Sequence, residues 1–266
     1  MDLGIAGKAF AIVGGTSGMG YAAARVLAAD GARIALIGRD QAAGDERAAR
    51  LAAETGATVQ MFAGDGSKPG EVEAAIAAAA QAFGELNGLA VTAGPMLAQT
   101  YITETSDADW QAYFDVQLMT TVRANRAILP LLKAAGGGTI VNTSAYSIHA
   151  QHGERIAYTA MKAAIASVTK NIALTSGKDG IRANTVCPGF IATDAAQPLM
   201  EMMAKKYGLP PLEALDKAMV EDFHMDVALG RVGRPEELGE LIAFLLSARA
   251  GYLTGALINA DGGTQF

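Results

Sequence analysis

Of its 266 residues the chain gives one to cysteine, one to tryptophan and three to histidine. A lone Cys187 excludes an internal disulfide framework and any zinc site built from several cysteines, and it suits a reducing compartment. As a small apolar side chain within a strand it reads as core. His149, His152 and His224 have no clustered carboxylates beside them, so no metal-ligand spacing emerges and no metal is expected. Basic residues are in deficit too. The 21 Lys and Arg against 27 Asp and Glu leave a net charge of −6, which argues against a nucleic-acid binder or a basic membrane-surface protein. A small anionic ligand stays open, because a nest of backbone N–H groups holds phosphate without an excess of basic side chains. Long apolar runs are absent as well. "MDLGIAGKAFAIVGG" carries an early acid and no basic segment ahead of an apolar one, unlike a signal peptide. "EAAIAAAAQAF" is too short to span a bilayer. The expectation is a cytoplasmic protein with neither a membrane nor a nucleic-acid partner.

What is present is apolar and periodic. Hydrophobic residues make up 51% of the chain, enough for a packed core and far from a disordered profile. The runs "KAFAIV", "RIALIG", "TVQMFA", "GLAVT", "GTIVNT", "IRANTV" and "ALINA" read as strands, separated by Ala-rich helical segments long enough for crossovers. Strands that are apolar throughout are buried on both faces, as in a parallel sheet covered by helices. The pattern predicts one doubly wound α/β domain over residues 1–266, with about seven parallel strands and helices on both faces. Residues 191–232 break the rhythm. This insertion is far longer than an ordinary strand-to-helix connection and follows a strand's carboxyl end, where ligands bind in open α/β sheets. Its Met200, Met202, Met203 and Met219 would serve either an apolar substrate or a core and subunit contact.

Two short patterns carry chemistry. "FAIVGGTSGMGYAAARVLAADGA" runs from strand through Gly14-x-x-x-Gly18-x-Gly20 into a helix. Glycines there permit a tight turn and close backbone approach to a pyrophosphate lying at the helix's positive end. Tyr158 and Lys162 stand one helical turn apart on a common face. A free tyrosine has a pKa of about 10, and an adjacent ammonium favours the tyrosinate, so the pair suits proton transfer at an alcohol or carbonyl oxygen.

With "CPGFIAT" at 187–193, these patterns resemble the short-chain dehydrogenase/reductase family, in the family's order and over essentially the whole chain. The resemblance implies a single Rossmann-type domain that binds NADP or NAD and forms a homo-oligomer, tetramer or dimer. It places Gly14, Thr16, Ser17, Gly18, Met19, Gly20, Asp65, Gly66, Thr92, Ala93, Gly94, Thr143, Pro188, Gly189, Ile191 and Thr193 against the cofactor, with Tyr158 and Lys162 at the nicotinamide end. The second strand ends in Gly38-Arg39, where an NAD enzyme usually has an acid for the ribose hydroxyls. A guanidinium there pairs a 2′-phosphate, so Arg39 favours NADP, with NAD still open and Asp40 pulling the other way.

Two positions depart from the family's pattern. The usual catalytic serine falls on Ala145, leaving Ser144, Ser147 or no hydroxyl to assist Tyr158. Because strand neighbours point oppositely, Ser144 substitutes only if the backbone bulges at 144–146. The family's fourth catalytic residue, an asparagine, falls on Gln117. His149 and His152 lie on the segment before Tyr158 and read as solvated loop residues. The resulting expectation is an NAD(P)-dependent oxidoreductase interconverting a small hydrophobic carbonyl compound and its secondary alcohol. The alternative is a dinucleotide-binding relative with little catalysis, acting as a sensor or scaffold.

Overall fold

A computed structural model describes residues 2–97, 100–223, 225 and 227–264. Its strands are β1 (Ala9–Val13), β2 (Arg33–Gly38), β3 (Val59–Ala63), β4 (Gly88–Val91), β5 (Gly138–Thr143), β6 (Ile181–Pro188) and β7 (Leu257–Ala260). Each of the seven apolar runs forms one of them. They pair in parallel in the order β3-β2-β1-β4-β5-β6-β7. The helices are α1 (Gly18–Ala29), α2 (Gln41–Thr55), α3 (Glu71–Phe83), α4 (Asp107–Tyr113), α5 (Thr120–Ala134), α6 (Ile156–Ser176), α7 (Gln197–Tyr207), α8 (Pro211–Glu221) and α9 (Pro235–Leu246).

Alternation along the central strands divides the core in two. In β1 and β2, Phe10, Ile12, Ile34 and Leu36 pack on one face with Leu27 of α1 and Leu238 and Ile242 of α9. Ala9, Ala11, Val13, Ala35 and Ile37 face the other way, onto Ile76 of α3, Ile128 of α5 and Ile172 of α6. Burying a side chain of the Leu or Ile class contributes about 1.5–3 kcal/mol, so both faces hold the sheet. α1 and α9 touch closely because Gly239 has no Cβ; one built there would lie 2.6 Å from the Ala22 carbonyl carbon.

The order reverses between β1 and β4, the switch point where α/β sheets bind ligands outside the strands' carboxyl ends. Register brings those ends level: Val13 pairs with Ile37 and Val91, Val91 with Asn142, and Thr143 with Val186. α7 and α8 fill the long connection after β6. Their Met200 and Met219 are buried with Tyr146, Leu215, Val227 and Val232, and Met203 is buried with Ala214 and Ala218. Three of the four methionines are thus the insertion's own core, and only Met202 is exposed. The Asp216 carboxylate accepts from the Val232 N–H at 2.9 Å and pairs with Arg234 at 3.2 Å, tying α8 to the start of α9. Among the described residues no helix is long and apolar enough to cross a membrane.

Candidate active site

The glycine turn leaves β1 and enters α1 with no atom to spare. Gly14 adopts φ +82°, and a Cβ on it would meet the Ala93 N–H nitrogen at 2.6 Å. A Cβ on Gly20 would collide with the Gly14 carbonyl oxygen and Thr92 Oγ1. Thr92 Oγ1 donates toward the Val13 and Gly14 carbonyls at 3.2 and 3.3 Å, so Thr92, Ala93 and the turn form one unit. Ser17 precedes α1 in extended conformation, and Gly18 approaches Thr193 across the cleft. Thr16 lies against Gly38 at the end of β2. This backbone cradle, with glycine where any side chain would block it, fits a pyrophosphate at the N-terminus of a twelve-residue helix.

Arg39 and Asp40 follow β2 and are both exposed. Asp40 caps α2, its carboxylate accepting from the Ala43 N–H at 3.1 Å. The acid that pulled toward NAD is therefore engaged in a local cap. Asp65, after β3, forms a tight turn through bonds from the Ser67 N–H and hydroxyl at 2.9 and 2.7 Å. Burial acts to raise its pKa, but those bonds and then the charges of Arg39 and Lys68 hold it below the usual carboxylate range. Buried Arg123 donates to the Gly66 and Ser67 carbonyls, both at 2.8 Å, and fixes this loop.

At the other end, Tyr158 and Lys162 project from α6 into a cleft of about 500 Å³. Met19, Thr92, Gly94, Thr143, Ser144, Pro188, Gly189, Ile191 and Thr193 share that cleft. Lys162 is buried, donates from Nζ to the Thr143 carbonyl at 3.1 Å, and lies 5.5 Å from the Tyr158 ring centre. Burial pushes its ammonium down to about 8. Tyr158 meets the Tyr113 ring edge-on at 6.3 Å. Burial pushes its pKa well up and the Arg155 guanidinium opposes that, so the phenol stays protonated at neutral pH.

Of the two candidate serines beside Tyr158, Ser144 gives its proton elsewhere, whereas Ser147 lines the cleft and is bonded as an acceptor. Ala145 is extended, at φ −159° and ψ 153°, with no bulge at that residue. Ser144 Oγ donates to the Lys162 carbonyl at 2.7 Å, and Thr159 Oγ1 donates to Ser147 Oγ at 3.2 Å. Ser144→Ala is accordingly expected to lower kcat by less than about tenfold, the worth of an ordinary structural hydrogen bond. A hydroxyl aimed at a developing oxyanion contributes on the order of 3 kcal/mol; a hundredfold loss of kcat would mean that Ser144 turns toward the substrate.

Gln117 sits fully buried in a π-helical turn, Phe114–Met119, between α4 and α5. Its Nε2 donates to the Pro95 carbonyl at 2.6 Å and its amide packs on Gly94, so it holds the loop after β4. His149 and His152 are exposed and do not line the cleft, while His224 lies outside the described residues. Among the described residues no group of three or more His, Cys, Asp or Glu is placed to hold a metal. Burial pushes the Cys187 thiol up to about 11, which makes it unreactive.

Several wall residues carried no signal in sequence. Met96, Phe190, Leu199, Phe223 and Met225 give the cleft an apolar side, while Tyr146 and Arg155 add a polar one. Arg155 lies three residues before Tyr158 but at the N-cap of α6, outside the helical repeat, so spacing did not announce it either.

Comparison with known proteins agrees with this geometry. The family model described as enoyl-(acyl carrier protein) reductase matches residues 13–265. The chain is 32% identical to 2-(S)-hydroxypropyl-CoM dehydrogenase 3 of Xanthobacter autotrophicus, over 96% of each chain. It is 33% identical to D-beta-hydroxybutyrate dehydrogenase of Cupriavidus necator, over 97% of each. Among solved structures, L-sorbose reductase from Gluconobacter frateurii, complexed with NADPH and L-sorbose, superposes with a TM-score of 0.91 at 32% identity, covering 99% of this chain and 98% of that one. The chain belongs to the short-chain dehydrogenase/reductase family and is an NAD(P)-dependent oxidoreductase.

Proposed function

We propose that this enzyme reduces a ketone with an apolar body to its secondary alcohol, using NADP, with Tyr158 as the general acid. The observation that carries the reading is a half-buried Tyr158 sharing one cleft with Lys162 and with Met19 of the glycine turn. A phenol O–H in this cleft can give its proton to a carbonyl oxygen, and the Arg39 end that suits NADP leans toward reduction. When bound, the reduced nicotinamide supplies the hydride. Tyr158 Oη transfers its proton to the carbonyl oxygen as negative charge gathers there. Lys162, anchored on Thr143, contributes positive charge beside the phenol and binds the nicotinamide ribose. Ser144 holds the Lys162 backbone in register, and Gln117 holds the Gly94-Pro95 loop. Thr143 Oγ1, buried and without a protein partner among the described residues, is an orphaned polar atom suited to a ligand group. Leu199, Phe223 and Met225 of the insertion, with Met96 and Phe190, enclose the apolar body. Exposed Leu174 on α6 and Leu257 on β7 support a homo-oligomer, dimer or tetramer. The test is stoichiometric NADPH consumption and alcohol formation across a panel of ketones; NADPH binding without turnover on any of them would favour a sensor.

Arg39 beside an Asp40 engaged as a helix cap supports NADP, in line with the NADPH held by the similar sorbose reductase. NADPH should bind at least about tenfold more tightly than NADH, since a guanidinium–phosphate pair contributes a charge-assisted bond, and Arg39→Ala should narrow the gap. Equal affinities in a titration of the unmutated enzyme would contradict this.

A further inference from the structure

The proposed reaction gives one lone pair of the substrate carbonyl to Tyr158 and leaves the other unmet. A carbonyl oxygen has two lone pairs, and negative charge gathering there, away from water, is costly without a second donor. The cleft offers few. Ser144 spends its proton on the Lys162 carbonyl, and Thr92 spends its own on Val13 and Gly14. Lys162 is fixed on the Thr143 carbonyl and Thr193 abuts Gly18, so Thr143 and Thr193 belong to the glycine-turn side. Tyr146 points its O–H at the Met225 thioether, inside the apolar core of the insertion.

Ser147 is what remains. It lies in the 3₁₀ turn Tyr146–Ile148, which begins directly after the extended Ala145, and it lines the cleft together with Tyr158. The residue is only 1% exposed. Thr159, next to Tyr158 on α6, donates from Oγ1 to Ser147 Oγ at 3.2 Å. That bond fills an acceptor site of Ser147 and leaves its O–H with no acceptor among the described residues. A buried hydroxyl proton without a partner costs stability, and a serine that served packing alone would have spent it on a nearby carbonyl, as Ser144 does. Accepting from Thr159 also polarises the Ser147 O–H and makes it a stronger donor.

We propose that Ser147 is a catalytic residue, its O–H donating to the substrate carbonyl oxygen on the lone pair that Tyr158 does not use. The inference rests on the carbonyl-reduction reading of the same cleft and deepens it. No proton leaves Ser147. Its hydrogen bond strengthens as charge develops on the oxygen, while Tyr158 alone supplies the proton. Thr159 is a positioning residue, holding the Ser147 hydroxyl through the bond to Oγ. Ala145 lines the cleft two residues earlier and carries no hydroxyl to compete for that oxygen.

The test uses the ketone that the enzyme turns over fastest, NADPH saturating. Ser147→Ala should lower kcat about a hundredfold, the effect of removing one donor to a developing oxyanion, with NADPH affinity little changed. Thr159→Val should lower kcat several-fold. The decisive comparison is a double-mutant cycle. The gain in kcat from Ala145→Ser should be at least about tenfold larger in the Ser147→Ala background than in the unmutated enzyme, because a hydroxyl then returns to the same oxygen. A packing role for Ser147 would produce no such coupling. NADPH titration and a thermal melt check that each variant is folded; if Ser147→Ala is not, Thr159→Val decides, and an unchanged kcat there overturns the proposal. A kcat that Ser147→Ala leaves within about threefold of the parent, a loss confined to KM, or a loss that Ala145→Ser does not recover would also overturn it while carbonyl reduction stands. If the unmutated enzyme reduces no ketone at all, the reduction reading fails and this proposal falls with it.

Discussion

Tyr158→Phe is expected to lower kcat by at least about a thousandfold, within the range contributed by a positioned general acid, while the affinity for NADPH changes by less than about threefold. The two readouts separate because the substitution removes one atom. The Phe ring retains the edge contact with Tyr113 and its place beside Lys162 Nζ. It also leaves the glycine turn and the Arg39 end untouched. What disappears is the proton that the proposed mechanism gives to the substrate oxygen. Ser144 cannot replace it without giving up the Lys162 carbonyl, and the aliphatic hydroxyl of Ser147, which accepts from Thr159, is a far weaker acid than a phenol. Steady-state kinetics with the best ketone, alongside fluorescence titration of NADPH, checks this. A variant that keeps more than a few per cent of kcat at every pH would mean that another group delivers the proton.

Gly20→Ala should have the opposite signature: a loss of NADPH affinity of at least about tenfold, with stability lowered by roughly 1–3 kcal/mol, the usual cost of overpacking. A methyl group at this position meets the Gly14 carbonyl and Thr92 Oγ1. The carbonyl is backbone, held within a turn that Thr92 already braces, so the relief has to come from the turn itself. Displacing the turn moves the N–H groups that form the cradle. Gly56→Ala is the control. Gly56 ends α2 at φ +72° with nothing within 4 Å of the added Cβ, so it pays only the left-handed backbone penalty of roughly 1–2 kcal/mol. Thermal melts should show both variants destabilised, and cofactor titrations should single out Gly20→Ala. Equal cofactor affinities in the two variants would mean that the turn is a packing feature and not a binding one.

The strands were legible because a parallel sheet covered on both faces writes continuous apolar runs, and the glycine turn because its backbone tolerates no side chain. The Tyr158–Lys162 pair was legible through helical spacing alone. Other features depend on distances that no spacing encodes. That Ser144 and Ala145 point to opposite sides followed from strand alternation, but the target of Ser144, the Lys162 carbonyl, lies on a separate helix. The methionines of the insertion read equally as lid or core, because a helix hairpin that packs on itself has the same apolar pattern as one that packs on a ligand; α7 against α8 resolved this toward core for Met200, Met203 and Met219. Asp40 read in sequence as pulling against NADP, and it caps α2 in the fold. The polar wall of Tyr146 and Arg155 joins the segment after β5 to the N-cap of α6, so neither residue announces the other.

The central claim is that this cleft carries out NADP-dependent carbonyl reduction, and isotope transfer tests it most directly. With NADPH deuterated at the transferring position of the nicotinamide, and a ketone that the enzyme turns over, the product alcohol should carry deuterium on its carbinol carbon in a single configuration, one atom for each NADPH oxidised. Tyr158→Phe under the same conditions should give almost none. NADPH that binds yet is never oxidised by any carbonyl compound, or product alcohol formed without deuterium, would contradict the account.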